Sequence, residues 1–217
     1  GRIVLTAGNA RAEVDRNSGY VTAYAVQGRE LLTAPLQPNF WRASIDNDWR
    51  GWRVSEHLGC WKELPARLRT RSVEVDGERG RVVVEKEIPD SVTLRLVYTL
   101  DPAGSLTVDY DLHMADAMPE PLRVGLQTRV PNTLNRIAYF GRGPQENYAD
   151  RQCGAFLGLY RSTPESFMHS YITPQENGNR CDVRWLALSG AKGPGVEFVG
   201  ERPLSVSVWN CTQEMLD

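Results

Sequence analysis

Between residues 71 and 114 apolar and polar side chains alternate with a period of two, the spacing that sends successive side chains of an extended strand to opposite faces. Ser72–Asp76, Arg81–Ile88 and Ser91–Leu100 read as three such strands, separated by turns at Gly77–Gly80 and Pro89–Asp90. A β-turn follows at Asp101–Gly104, with Pro102 at its second position, where a fixed φ suits the turn. Beyond it Leu106, Val108, Tyr110, Leu112 and Met114 alternate with Ser105, Thr107, Asp109, Asp111 and His113. One face of this meander is therefore buried and the other wet. Asp109, Asp111 and His113 offer three oxygen or nitrogen ligands on one strand, but same-face neighbours stand roughly 6–7 Å apart, so an ordinary solvated face is expected and no metal is assigned.

The same reading extends both ways. Arg11–Asp15, Tyr20–Val26 and Arg29–Thr33 are predicted strands broken at Asn17–Gly19 and at Gln27–Gly28, which are hairpin signals. Pro35 and Pro38 are expected to end regular structure. Val54–Leu64 predicts a short helix begun by Ser55 as N-cap. Leu122–Val130, Asn135–Phe140, Gly154–Tyr160, Val183–Leu188, Gly195–Val199 and Leu204–Trp209 read as further strands. Many short strands with turns at this spacing predict an all-β antiparallel sandwich, taken as one domain over residues 1–217.

Composition narrows the function classes. A chain of 217 residues with 41% hydrophobic content can bury a sizeable core. A formal charge of -2 gives no electrostatic footprint for nucleic acid or an anionic membrane. No apolar run is long enough to cross a bilayer as a helix, and the first residues lack the build of a signal peptide. Cys60, Cys153, Cys181 and Cys211 form no close pair in sequence, so neither a zinc site nor a disulfide framework is implied. Cysteine usage leans to a cytoplasmic setting, with the periplasm left open.

Three polar stretches interrupt the β pattern. The first runs Trp41-Arg42-Ala43-Ser44-Ile45-Asp46-Asn47-Asp48, followed by Trp49 and Trp52. The second is Gly141-Arg142-Gly143-Pro144-Gln145-Glu146-Asn147-Tyr148-Ala149-Asp150-Arg151, and the third, Pro174-Gln175-Glu176-Asn177-Gly178-Asn179-Arg180, repeats its Pro-Gln-Glu-Asn core. Glycine and proline at this density fix tight loops, which make rigid mounts for charged side chains. The two matched loops are expected to face one groove. Unpaired carboxylates at such density are costly, so Asp46 or Asp48 is expected to pair with Arg42, Arg151 or Arg180. Glu146 and Glu176 are the carboxylates a glycosidase pair would need. The alternative is that each is tied to an arginine and to loop amides, which depresses its pKa and suits binding or structure better than acid catalysis. Trp49 and Trp52 can stack on a pyranose or close the core, whereas Trp61 is expected in the core.

These three motifs, in this order, with Arg184-Trp185 after them, resemble the small-chain domain of bacterial β-galactosidases, the C-terminal piece of long members of glycoside hydrolase family 2. The resemblance covers nearly the whole chain. It implies a large two-sheet supersandwich shared with galactose mutarotases. It also implies an accessory role in hydrolysing terminal β-galactosides, with both catalytic glutamates on a TIM barrel in another domain. No residue here is then catalytic, and Arg42, Asp46, Asn47, Asp48, Trp49, Trp52, Arg142, Glu146, Asn147, Asp150, Arg151, Glu176, Asn177 and Arg180 become groove or interface candidates. The family domain continues for further strands beyond Asp217, and these carry a tryptophan that reaches the substrate. The resemblance implies no cofactor in this chain and allows magnesium and sodium in the parent, whose other domains and galactosides are the expected partners and which is expected to be a homo-oligomer. Two rivals remain: an autonomous aldose epimerase, using a carboxylate base with His57, His113 or His169 as acid, and a stand-alone carbohydrate-binding module.

Overall fold

The alternation over 71–114 becomes four antiparallel strands: β6 (Arg69–Asp76), β7 (Arg81–Ile88), β8 (Val92–Leu100) and β9 (Leu106–Met114), each paired with the next. The computed structural model describes residues 1–217. Ahead of the meander lie β1 (Arg2–Ala7), β2 (Ala10–Asp15), β3 (Val21–Val26), β4 (Arg29–Glu30), β5 (Ala34–Asn39) and α1 (Val54–Arg67). After it come β10 (Gly125–Arg129), β11 (Arg136–Gly143), β12 (Phe156–Ser162), α2 (Pro164–Phe167), β13 (Arg180–Ser189) and β14 (Val196–Val206). All pairings are antiparallel, and the chain forms the all-β sandwich that the pattern predicts. The chain divides into two compact units: Gly1–Trp41 with Glu56–Pro131, and Arg42–Ser55 with Asn132–Asp217.

In the first unit the sheet β6-β7-β8-β9 accompanies a second sheet, β1-β2-β3-β5-β10, with β4 added on β3. Val82, Val84, Leu94, Leu96 and Leu100 bury the inward face of the first sheet, and Ile3, Leu5, Ala12, Val14 and Val21 that of the second. Each large aliphatic side chain buried this way contributes roughly 1.5–3 kcal/mol. The turn between β2 and β3 is set by Asp15, whose carboxylate accepts from the backbone N–H groups of Asn17 and Ser18 at 3.0 and 2.8 Å. It closes at Gly19, where φ is +70° and a Cβ would stand 2.5 Å from Val84 Cγ1; no other residue fits. Next to this turn Lys86 is buried, donating from Nζ to Ser18 O at 2.7 Å and Thr70 Oγ1 at 3.0 Å over the ring of Tyr20. Trp61 on α1 is fully buried, as expected, and donates from Nε1 to Pro119 O at 3.0 Å.

In the second unit β11 lies between β12 and β13, with β14 outermost. One face carries Ile137, Tyr139, Leu186 and Leu188, all buried, and Tyr139 meets the ring of Phe167 edge-on at 5.6 Å. On the other face the register sets Leu159 opposite Phe140, Phe140 opposite Trp185, and Trp185 opposite Val199. This apolar row crosses all four strands, and its outer members Leu159 and Val199 are exposed.

Several elements depart from the sequence reading. β5 runs straight through Pro35 and Pro38. It meets β3 at a single pair, Val21 and Leu36, so that side behaves almost as an edge, where proline's missing N–H is tolerated. The helix starts at Val54 and extends to Arg67, with Ser55 inside its first turn and Pro65 in its last. β14 is one strand where two were expected; it continues through Gly200 and Pro203 because register shifts on β13 accommodate the irregular stretch. No helix is long and apolar enough to span a bilayer.

Candidate functional site

All fourteen candidate residues fall in the second unit. The first polar stretch closes on itself. Asp48, buried, accepts from Arg42 through both oxygens, at 2.5 Å from Nη1 and 3.2 Å from Nη2, and from the backbone N–H of Ile45 at 2.8 Å. Such a fork-to-fork pair adds geometric definition to charge. Ser44 donates from both its N–H and its hydroxyl to one carboxylate oxygen of Asp217, at 2.8 and 3.0 Å. Asp48 then opens a single π-helical turn to Trp52, ended by Arg53 in a left-handed conformation at φ 49°. Asp46 and Asn47 are exposed. Trp49 and Trp52 are exposed as well, the latter by 76%.

The second and third stretches are fastened to each other. The backbone N–H of Asn147 donates to Asn179 O at 2.8 Å, and Asn179 Nδ2 donates to Asn147 O at 2.8 Å. Asn147 also accepts the backbone N–H of Cys181 at 2.9 Å, while its Nδ2 donates to Arg142 O and Gln145 O. Asn177 repeats the pattern in the other loop, donating to Gln175 O at 2.9 Å and accepting from the backbone N–H of His169 at 3.1 Å. All three amides are buried, and their bonds satisfy loop backbone groups that would otherwise be stranded.

Charge is distributed around this seam. Glu146 accepts from the Tyr171 hydroxyl and from Arg151 Nη2 at 2.6 Å through one oxygen, and from the backbone N–H of Gly178 at 2.8 Å through the other. Burial raises its pKa, but these three donors outweigh burial and hold it below the ordinary glutamate value. The same bonds offset burial at Arg151 and raise its pKa. Arg142 pairs with Asp182 at 2.5 Å. Asp182 sits at φ 55° where β13 shifts register between Arg180 and Val183, a bulge that re-aims its side chain toward the loop. Arg180 differs from the other arginines. Buried, it donates from Nε to Pro144 O at 3.0 Å and from Nη1 to Phe167 O, Gly178 O and Asn179 O, and its guanidinium lies 4.2 Å from the Phe167 ring. Four carbonyls, rather than a carboxylate, hold this charge.

Of the expected pairings, Arg42 with Asp48 is formed, Arg151 takes Glu146, and Arg180 takes main-chain oxygens. Glu176 is buried within the third stretch and Asp150 is exposed. His57 and His113 are exposed in the first unit. His169 lies by the loops, its ring 4.4 Å from that of Tyr171. Sequence reasoning did not single out Tyr171, Asp182 or Trp209, which donates from Nε1 to Asn177 O at 2.9 Å. Nothing in a local pattern marks them, because each acts on a loop from another element.

Comparison with known proteins places this architecture. The family model for the beta galactosidase small chain matches residues 6–217. The β-galactosidase of Priestia megaterium is 31% identical over 201 residues, covering 91% of this chain and 19% of that protein. The Vibrio cholerae enzyme is 31% identical over 232 residues, covering 100% of this chain and 22% of its own length. That of Lactobacillus delbrueckii subsp. bulgaricus is 31% identical over 198 residues, 89% of this chain and 19% of the relative. The chain belongs to the β-galactosidase small-chain family, and it spans about a fifth of the length of these relatives.

Proposed function

We propose that this chain is the accessory C-terminal domain of a β-galactosidase, one that supplies loops and sugar contacts beside the active-site mouth while hydrolysis of terminal β-D-galactose runs elsewhere in the parent. The observation that carries the non-catalytic part is Glu146. Its carboxylate is engaged by three donors and held charged, the opposite of the raised pKa a general acid needs. In this reading the parent forms a glycosyl-enzyme intermediate on its own carboxylates, assembles as a homo-oligomer, and holds any magnesium or sodium it uses. Trp49 and Trp52, exposed on a turn anchored by the Arg42–Asp48 pair, are the segment that meets the sugar or the neighbouring domain. The purified chain incubated with a chromogenic β-galactoside should show no turnover. A rate that Glu146→Gln or Glu176→Gln abolishes overturns the reading.

A second reading, an aldose epimerase on a mutarotase-like sandwich, has one observation in its favour: Glu146 and His169 line the same cavity. Polarimetry on fresh α-D-galactose separates the two, because an epimerase speeds the approach to the anomeric equilibrium and an accessory domain leaves it at the solvent rate.

A further inference from the structure

Beside the fastened loops lies a cavity of about 350 Å³, bounded by Pro144 and Glu146 from the second stretch, Ser166, Met168 and His169 from the segment after β12, and Arg180 at the start of β13. We infer that this cavity is a binding subsite for a neutral, monosaccharide-sized polyol, recognised through Arg180 and Glu146. Arg180 is 3% exposed, its Nε and Nη1 are taken by carbonyls, the Tyr139 hydroxyl lies against the group, and no carboxylate is among its hydrogen-bond partners. A buried guanidinium that lines a cavity, with five N–H donors and only carbonyl and hydroxyl neighbours, favours a further oxygen acceptor there. Glu146 supplies the complementary half: its Oε2 accepts a single protein hydrogen bond, from Gly178 N, which leaves acceptor capacity. Gly178 links the two groups, since its carbonyl receives Arg180 Nη1 at 3.0 Å while its N–H holds Glu146.

A hydroxyl both accepts and donates, so adjacent hydroxyls of a sugar satisfy Arg180 and Glu146 together. A simple anion takes the first and is repelled by the second. Pro144 and Met168 provide apolar wall for ring carbons, and the volume lies at the lower end of the range for small-molecule sites. The subsite rests on the carbohydrate part of the function proposed above and is independent of where hydrolysis occurs.

Met168 lines the cavity, so its methyl serves as a reporter. In the full chain labelled at its methionine methyls, with Met168 assigned through Met168→Leu, D-galactose should shift this resonance saturably, with a Kd of order 1 mM, which is a binding free energy of about −4 kcal/mol. Glu146→Gln should weaken binding by at least about tenfold, and Ser166→Trp, at an exposed position that leaves the Arg180 bonds in place, should abolish it by filling the space. Sodium sulfate should neither shift the resonance saturably nor compete. The subsite is overturned if galactose and glucose both leave Met168 unshifted in the folded protein, if sulfate binds in their place, or if Ser166→Trp leaves the galactose shift intact. Loss of the subsite with β-galactosidase activity intact in the parent defeats this inference alone; activity in the isolated chain defeats the function proposed above alone.

Discussion

Asn147 and Asn179 hold each other across the seam between the two matched loops, each accepting at its carbonyl a hydrogen bond from the other residue, one from a backbone N–H and one from a side-chain amide, both at 2.8 Å. Two buried amides thus do for these loops what a ladder does for strands. The loops are one object, and the positions of Glu146 and Arg180 follow from it.

Asn179→Ala leaves the buried carbonyl of Asn147 without its amide donor, though Cys181 Sγ also lies within 3.6 Å of it. A loss of roughly 1–3 kcal/mol is expected for each buried group stranded. Asn147→Ala removes more, since its side chain serves Cys181 N, Arg142 O and Gln145 O. Urea unfolding of both single variants and the double variant should show non-additivity of at least about 0.5 kcal/mol; strictly additive losses would show that the seam is not a unit.

The arginines should separate by burial. Asp48 has a side chain 6% exposed, so Arg42→Ala strands a buried carboxylate and is expected to destabilise by about 3–5 kcal/mol. Arg151 is 53% exposed, so Arg151→Ala should lose only about 0–1 kcal/mol despite its short bond to Glu146. Unfolding midpoints of the two variants measured side by side check the order.

Lys86 should leave a signature in alkali. Burial pulls its amine from 10.5 down to about 8. Between those values the unfolded chain binds the additional proton, so this group's contribution to stability rises as pH climbs through the window, and the full penalty of a buried ammonium applies below it. Tyr20, whose hydroxyl burial pushes up to about 12, acts in the opposite sense above pH ~10. Denaturant titrations between pH 7 and ~9.5 should therefore show a rising component that Lys86→Met removes.

Trp49 and Trp52 should report on the parent. Acrylamide should quench Trp52 strongly in the isolated chain and leave Trp61, which is fully buried, nearly untouched. Trp52→Ala should change stability by no more than about 0.5 kcal/mol. If the segment meets a neighbouring domain, Trp52 becomes protected in the full-length enzyme; equal quenching in both forms would exclude that contact.

What the sequence made legible follows from the range of the forces involved. The meander of β6 to β9 was readable because alternation is a local consequence of one buried face, and the loops because glycine, proline and paired polar residues mark them. β5 was hidden, since Pro35 and Pro38 forbid a strand only where a partner needs their N–H, and the partner is set by β10 far along the chain. Candidate residues such as Arg142 and Glu146 were visible by type, but their partners were not. Asp182 reaches Arg142 only through a bulge, and Tyr171 reaches Glu146 only because the loops are fastened. Trp49 and Trp52 left two readings open because aromatic residues beside a turn serve core and surface equally well, and only accessibility divides them.

Leu159 and Val199, at the two ends of the row that also holds Phe140 and Trp185, govern how the free polypeptide behaves in concentrated solution. Exposed by 60% and 68%, they give this sheet face an adhesive flank, and the chain's formal charge of only -2 offers little electrostatic repulsion against self-contact. Light scattering should grow with protein concentration, and Leu159→Lys with Val199→Lys should suppress it while leaving the unfolding midpoint in place, because neither side chain belongs to the interior.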